Sequence, residues 1–233
     1  MQKRVMITGG NKGIGLETTR LFLDRGFHVC VVARDFDGFE FSRSAHVSMV
    51  KYDLTDVDGI PDLVAGLDPF DVLVNNAGVM FALPYDRYPQ EKVQTILRLN
   101  LEAPVALIRE VSAGMIERGG GRIVNNASIA GQIGHPDIWY GVTKAGLINL
   151  TKSFAKLLGP KGIVVNAVAP GPVETDMLDV IPAARKEAIL KAVNTGRFAR
   201  PQEVAEAIVW LGTDCPAYIN GTCTDINDGA FPR

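Results

Sequence analysis

Cysteine and histidine are scarce in this chain. Its 233 residues hold three of each, Cys30, Cys215 and Cys223, and His28, His46 and His135. The cysteines are far apart, form no C-x-x-C pair, and make no metal-ligand set with the histidines. That excludes a zinc module and a disulfide scaffold, so no metal is expected, and the expected setting is a reducing cytoplasm. An excess of either charge is also missing: 24 Lys and Arg oppose 26 Asp and Glu. A protein that neutralises phosphates would carry a clear basic surplus, so no nucleic-acid partner is expected. No apolar run reaches the roughly 18 residues of a membrane-spanning helix. The start, MQKRVMITGG, lacks the apolar core and cleavage site of a secretory signal. No membrane partner is expected. There is no internal repeat and no low-complexity stretch. With 47% hydrophobic and 21% charged residues, the chain is too apolar to be disordered.

What is present is an alternation of short β-branched runs with longer helical patterns. Strands are predicted at Arg4–Ile7, His28–Ala33, Val47–Tyr52, Asp71–Val74, Arg122–Asn125, Ile163–Ala169 and Thr222–Ile226. Long helices are predicted over Pro89–Arg118 and Asp137–Leu158, a shorter one over Gln202–Gly212, and an amphipathic one over Ala183–Val193. Strand–helix–strand repetition means parallel pairing with right-handed crossovers, and the near-continuous apolar strands imply helices on both faces. The expected fold is therefore a single-domain, doubly wound α/β sheet of the Rossmann type, with about seven strands. Only about a dozen residues join the second strand to the third, which leaves room for a turn of helix at most. Three phenylalanines there, Phe36, Phe39 and Phe41, supply bulk in its place.

A glycine-rich turn, Thr8-Gly9-Gly10-Asn11-Lys12-Gly13-Ile14-Gly15, follows the first strand and opens the first helix. Gly9 permits the tight turn, Gly13 lets backbone approach a pyrophosphate, and Gly15 lets helix and strand pack closely. The helix N-terminus offers unpaired N–H groups to an anion. Taken alone, the turn could also be a turn with no ligand. At the end of the second strand, where an NAD site carries a carboxylate, stands Ala33, followed by Arg34, with Lys12 nearby. Two cations and no anion suit a 2′-phosphate, so NADP(H) is expected over NAD(H). A solvated loop cation is the plainer reading of each.

The spacing T-G-x-x-x-G-x-G resembles the short-chain dehydrogenase/reductase family. The resemblance continues through Asn75-Asn76-Ala77-Gly78, Ser128 with Tyr140-x-x-x-Lys144, and Pro170-Gly171-Pro172-Val173-Glu174-Thr175. It implies a mainly dinucleotide-binding half over residues 1–120 and a catalytic half over 121–233, with catalytic roles for Ser128, Tyr140, Lys144 and Asn100. Asn100 would hold a helix irregularity and a water that relays protons to Lys144. It also implies cofactor contacts through Thr8, Gly9, Asn11, Lys12, Gly13, Ile14, Gly15, Arg34, Asp53, Leu54, Asn76, Ala77, Gly78, Tyr140, Lys144, Pro170, Gly171, Val173 and Thr175. Among these, Asp53 would meet the adenine amino group, or else cap a helix in the D-L-T-D segment. Thr175 would meet the nicotinamide carboxamide, and Asn75 would be structural. Tyr140 and Lys144, four apart on one helical face, have chemical meaning: an ammonium beside a phenol lowers its pKa toward the range of useful proton transfer.

Residues 175–200 correspond to the family's mobile substrate lid. Met177, Leu178 and Ile181, with Met80, Ile129, Ile133 and Trp139, are the expected pocket lining. The second half most resembles the 3-oxoacyl-[acyl-carrier-protein] reductases, through Pro170–Met177, Gly196-Arg197-Phe198 and Ala217–Gly221. The implied reaction is NADPH-dependent reduction of a 3-oxoacyl thioester carried by acyl carrier protein or coenzyme A. The alternatives are a polyol, sugar or small-ketone substrate, and a non-catalytic dinucleotide sensor. Three features depart from that pattern: Asp179 stands where a basic docking residue is common, the usual ending becomes Ile226-Asn227-Asp228-Gly229-Ala230, and the crossover after the second strand is abbreviated, which leaves the adenosine end less covered. Arg109 and Arg122 are possible docking cations. Surplus apolar faces on the two long helices, through Val105 and Val142 among others, invite a helix-on-helix subunit interface, and the resemblance implies a homotetramer.

Overall fold

The computed structural model describes residues 2–179 and 181–231. Seven strands form one parallel sheet: β1 (Arg4–Thr8), β2 (His28–Ala33), β3 (Val47–Lys51), β4 (Val72–Asn75), β5 (Gly121–Asn126), β6 (Ile163–Pro170) and β7 (Cys223–Ile226). Their spatial order is β3-β2-β1-β4-β5-β6-β7. The order reverses between β1 and β4, and the carboxyl edge beside that reversal is where a doubly wound sheet opens a ligand crevice.

Successive strand residues serve opposite faces. Met6, Leu73, Ile123 and Val165 pack under α2 (Ile60–Ala65), α4 (Ala103–Glu117) and α5 (Ile138–Leu158). Val5, Ile7, Val74 and Val124 pack on the other face under α1 (Gly13–Asp24) and α7 (Pro201–Gly212). The short α2 was not foreseen: Gly59 and Pro61 at its start hide six helical residues.

Two helices depart from expectation. The long helix predicted to Arg118 is two helices, α3 (Gln90–Leu97) and α4, joined through a π-helical turn, Arg98–Glu102, with Asn100 at its centre. The helix α6 (Ala183–Ala192) buries none of its residues, so it has no packed apolar face and is not the amphipathic element expected. Between β2 and β3 there are only turns. Phe39 is buried there against Phe36 and Phe41, at ring separations of 5.7 and 6.0 Å. Arg20 of α1 lies 5.2 Å over the Phe41 ring and grips Glu40 with both terminal nitrogens. The aromatic cluster thus does the covering that a crossover helix would.

Candidate active site

The strand ends on either side of the reversal are stitched together by side chains. The Thr8 hydroxyl accepts from the backbone N–H groups of Asn76 (2.9 Å) and Ala77 (3.0 Å). Asn76 Nδ2 donates to the carbonyls of Thr8 and Gly9, and its Oδ1 accepts from Asn126 Nδ2 at 2.9 Å. These bonds hold the glycine turn, the Asn75–Gly78 turn and the end of β5 in one frame. Deeper, Asn75 donates to Asn125 and Asn125 to Thr151 of α5, so Asn75 is structural.

Over the turn the backbone is shaped for close approach. Gly13 has φ +53°, and a Cβ on Gly15 would collide with the Gly9 carbonyl oxygen. Gly15 therefore packs against the turn itself rather than against the strand. Ile14 is half-buried on the α1 side of the core. Asn11 Nδ2 donates to the Asp35 carbonyl (3.1 Å), which ties the glycine turn to the segment that begins at Arg34. Arg34 is exposed at the end of β2. Lys12 leans elsewhere, its Nζ 3.7 Å from Asp176 in the turn after Thr175, with both side chains largely solvated. The helix-cap alternative for Asp53 fails, because α2 starts seven residues later and the D-L-T-D segment is a turn. Asp53 Oδ1 accepts from the Thr55 amide and hydroxyl (3.0 and 2.9 Å). Those bonds, with Arg34 nearby, hold its carboxyl below the usual range. The Leu54 side chain is buried in the core, leaving only its backbone for a ligand.

Ser128, Tyr140, Lys144 and Asn100 converge at the carboxyl edge, all buried: 8%, 8%, 4% and 1% exposed. Ser128 Oγ accepts from the Ala130 amide, capping the short turn Ile129–Gly131, and lies within 3.5 Å of the Pro170 carbonyl. Its side chain also reaches the Tyr140 phenol and is what pulls the phenol pKa downward. Burial is the larger effect, and the phenol is pushed up to about 12. The lowering expected from Lys144 is not what acts on the phenol here: the Ser128 side chain lowers its pKa, and the cost of burying a phenolate outweighs that. Lys144 Nζ donates to the Asn126 carbonyl at 2.7 Å and lies 5.6 Å from the centre of the Tyr140 ring. Its pKa falls to about 8, again through burial.

Asn100 does not face an apolar wall unpartnered. Its Oδ1 accepts from the Val79 amide (2.8 Å), and its Nδ2 donates to the Val79 carbonyl (2.9 Å) and to Thr143 (3.2 Å). The π-helical turn brings this amide across to the loop after β4. A Cβ on Gly78 would lie 3.3 Å from Asn100 Oδ1 and 3.7 Å from Lys144 Nζ. Thr175 sits beside Gly13, facing the first turn of α1, and begins the turn Asp176–Leu178. Val173 is buried and pairs with Ala199, while the Gly171 amide donates to the Ile226 carbonyl.

Met80, Trp139 and Ile181 pack with Tyr140 in one apolar cluster, and Met177 Sδ lies 4.0 Å from the phenol oxygen. Ile133 is exposed, and neither it, Ile129 nor Leu178 joins that cluster. The departures at the C-terminus have a structural use. Asp228 accepts from the Thr195 amide and hydroxyl, and its carbonyl accepts from the Asn194 amide, tying the end of β7 to the exit of α6. Arg122 is no docking cation: it donates to the carbonyls of Leu211 and Cys215 at the end of α7.

Four residues of the site were not singled out from the sequence. Asp137 is 1% exposed and caps α5 by accepting from the Tyr140 amide. Its other oxygen accepts from the Phe81 and Ala82 amides and the Tyr88 hydroxyl. His135 and Arg185, fifty residues apart, meet beside Tyr140. Phe81, which packs into the same apolar cluster, was also not anticipated.

Comparison with known proteins gives the family. The family model described as enoyl-(acyl carrier protein) reductase matches residues 9–230. An acetoacetyl-CoA reductase of Rhizobium meliloti is 33% identical over 239 residues, covering 99% of both chains. A 3-oxoacyl-[acyl-carrier-protein] reductase of Thermotoga maritima is 35% identical over 245 residues, covering 97% of each. Among solved structures, a putative gluconate 5-dehydrogenase of Beutenbergia cavernae with bound NADP superposes with a TM-score of 0.92 at 28% identity, covering 98% of this chain and 96% of that one. A 4-hydroxyisoleucine dehydrogenase complexed with NADH also gives 0.92, at 29% identity and 99% coverage of both. The chain belongs to the short-chain dehydrogenase/reductase family. It is an oxidoreductase of CH–OH and C=O groups.

Proposed function

We propose that the protein is an NADPH-dependent reductase of a ketone, acting on a 3-oxoacyl thioester of acyl carrier protein or coenzyme A. The observation that carries this reading is the buried trio: a neutral phenol with the Ser128 side chain in reach and the Lys144 ammonium beneath it. The phenol donates its proton to the carbonyl oxygen. Ser128 donates to the same oxygen and steadies its developing charge. Lys144, held on the Asn126 carbonyl, stabilises the phenolate left behind. A bound nicotinamide supplies the hydride.

The residues present fit such a cofactor. The glycine turn and the first turn of α1 take the pyrophosphate. Arg34 pairs with a 2′-phosphate, Asp53 meets the adenine, and Lys144 holds the nicotinamide ribose. Thr175, with Pro170, Gly171 and Val173, borders the ring. Residues 175–200 form the lid of this single domain. The names of the relatives from Rhizobium meliloti and Thermotoga maritima support the thioester. A second reading, an NADP-dependent polyol or sugar dehydrogenase, is favoured by Asp179, which would repel an acidic carrier. The same reading makes the protein cytoplasmic and homotetrameric.

Initial rates with acetoacetyl-CoA and acetoacetyl carrier protein test this. NADPH is expected to exceed NADH in kcat/KM by at least about tenfold. Arg34→Ala is expected to lose about 10- to 100-fold with NADPH alone, the worth of a charged hydrogen bond. Equal use of NADH would remove the cofactor assignment, and no turnover of either thioester would favour the polyol reading.

A further inference from the structure

Arg185 stands in the first turn of α6, and its Nη2 lies 2.9 Å from His135 Nε2. The imidazole ring is 5.4 Å from the Tyr140 ring. His135 Nδ1 lies 3.1 Å from the Asp137 carbonyl and 3.2 Å from the Asp137 amide. Because a guanidinium can only donate, the Arg185 contact needs Nε2 as acceptor, which puts the ring hydrogen on Nδ1 toward the carbonyl and leaves the Asp137 amide without that acceptor. Burial, with Arg185 alongside, holds the imidazole below its usual pKa. A neutral ring accepts one hydrogen bond from Arg185 and leaves its charge uncompensated.

The carboxylate in this neighbourhood, Asp137, is taken up by the Tyr140 amide and by the loop at Phe81 and Ala82, and it forms no ion pair with Arg185. Among the described residues Arg185 has no carboxylate within ion-pair distance, whereas Arg4, Arg20, Arg25, Arg109, Arg197 and Arg200 each have one. The first turn of α6 holds no acidic residue, and a cation there opposes the helix dipole. The neighbouring wall of Met80, Phe81, Trp139 and Ile181 is apolar, which strengthens any charge pair formed against it. A guanidinium held by a neutral imidazole, one ring away from the phenol, has no direct anionic partner among the described residues.

We propose that Arg185, steadied by His135, is a carboxylate-binding subsite, so that this centre takes oxo acids bearing a free carboxylate as a further substrate class. The guanidinium fork matches a carboxylate through two parallel bonds. A thioester carbonyl can accept from the same fork, but without the charge. The inference rests on the proposed reduction at Tyr140 and adds the selection of what lies beyond the reacting carbonyl.

The test compares acetoacetate with its neutral methyl ester. Calorimetric titration of the protein–NADP⁺ complex should show the acid binding at least about tenfold more tightly, within the range of a charged hydrogen bond. Arg185→Gln should bring that ratio close to one. Lys191→Gln, on the exposed far turn of α6, should leave it unchanged. Equal binding of acid and ester by the unaltered protein would overturn the subsite, as would a preference that survives Arg185→Gln. NADPH oxidation with acetoacetyl-CoA is read separately. If it fails while the acid preference stands, the thioester reading falls and the subsite survives. If it succeeds without an acid preference, the subsite alone falls.

Discussion

At the scale of single residues, burial sets the protonation states more than charge pairing does. It holds Tyr140 up to about 12 and Lys144 down to about 8, so the two groups keep their protons over different ranges. The phenol remains a proton donor throughout the neutral range. Lys144 loses its proton first as pH rises, and with it the charge that stabilises the phenolate. For ketone reduction, kcat/KM is therefore expected to be level below about pH 8 and to fall about tenfold per unit above it. A profile level to pH 10 would contradict this order of titration. The identities of these residues were legible because each sits in a short motif at a strand end. What the spacing did not reveal was how dry the site is, since burial depends on every element packed around it.

At the scale of elements, two joints set the geometry. One is the π-helical turn, which places Asn100 against Val79. The other is Asp137, which caps α5 and grips the loop at Phe81 and Ala82. Asp137→Asn keeps one acceptor and introduces an amide that cannot accept from the loop. It should cost about 1–3 kcal/mol, the penalty for leaving buried donors unpaired. At this chain length that is a fall in Tm of roughly 2–10 °C, measurable by calorimetry. An unchanged Tm would show that the loop is held without Asp137. Cap residues and strand cores could be read from sequence because their signals are local. The short α2 was masked by glycine and proline. The meeting of His135 with Arg185 depends on how the segment before α6 folds back over α5, and nothing near either residue announces it. The three phenylalanines after β2 were legible as bulk in place of a helix, and they do pack as such.

At the scale of the whole molecule, the order of the sheet follows from the alternation of elements, and both faces are covered as the apolar strands require. Much of the apolar surplus expected on the long helices is core: Leu107, Ile108, Val111, Leu147 and Leu150 are buried. What remains outside is Val105 and Ile116 on α4, and Ile138, Val142 and Leu157 on α5. Those residues are the expected subunit contacts. Sizing chromatography with light scattering should give a tetramer, and Val142→Glu should dissociate it. A monomer for the unaltered protein would contradict the expectation.

The account depends above all on the Tyr140 hydroxyl as the proton donor. The direct measurement is NADPH oxidation by Tyr140→Phe with acetoacetyl-CoA, read together with NADPH affinity from fluorescence titration. The predicted result is a loss of about 10²- to 10⁴-fold in kcat with NADPH affinity nearly unchanged. Turnover within a few-fold of the unaltered protein would contradict it, and proton delivery would then have to come from another group.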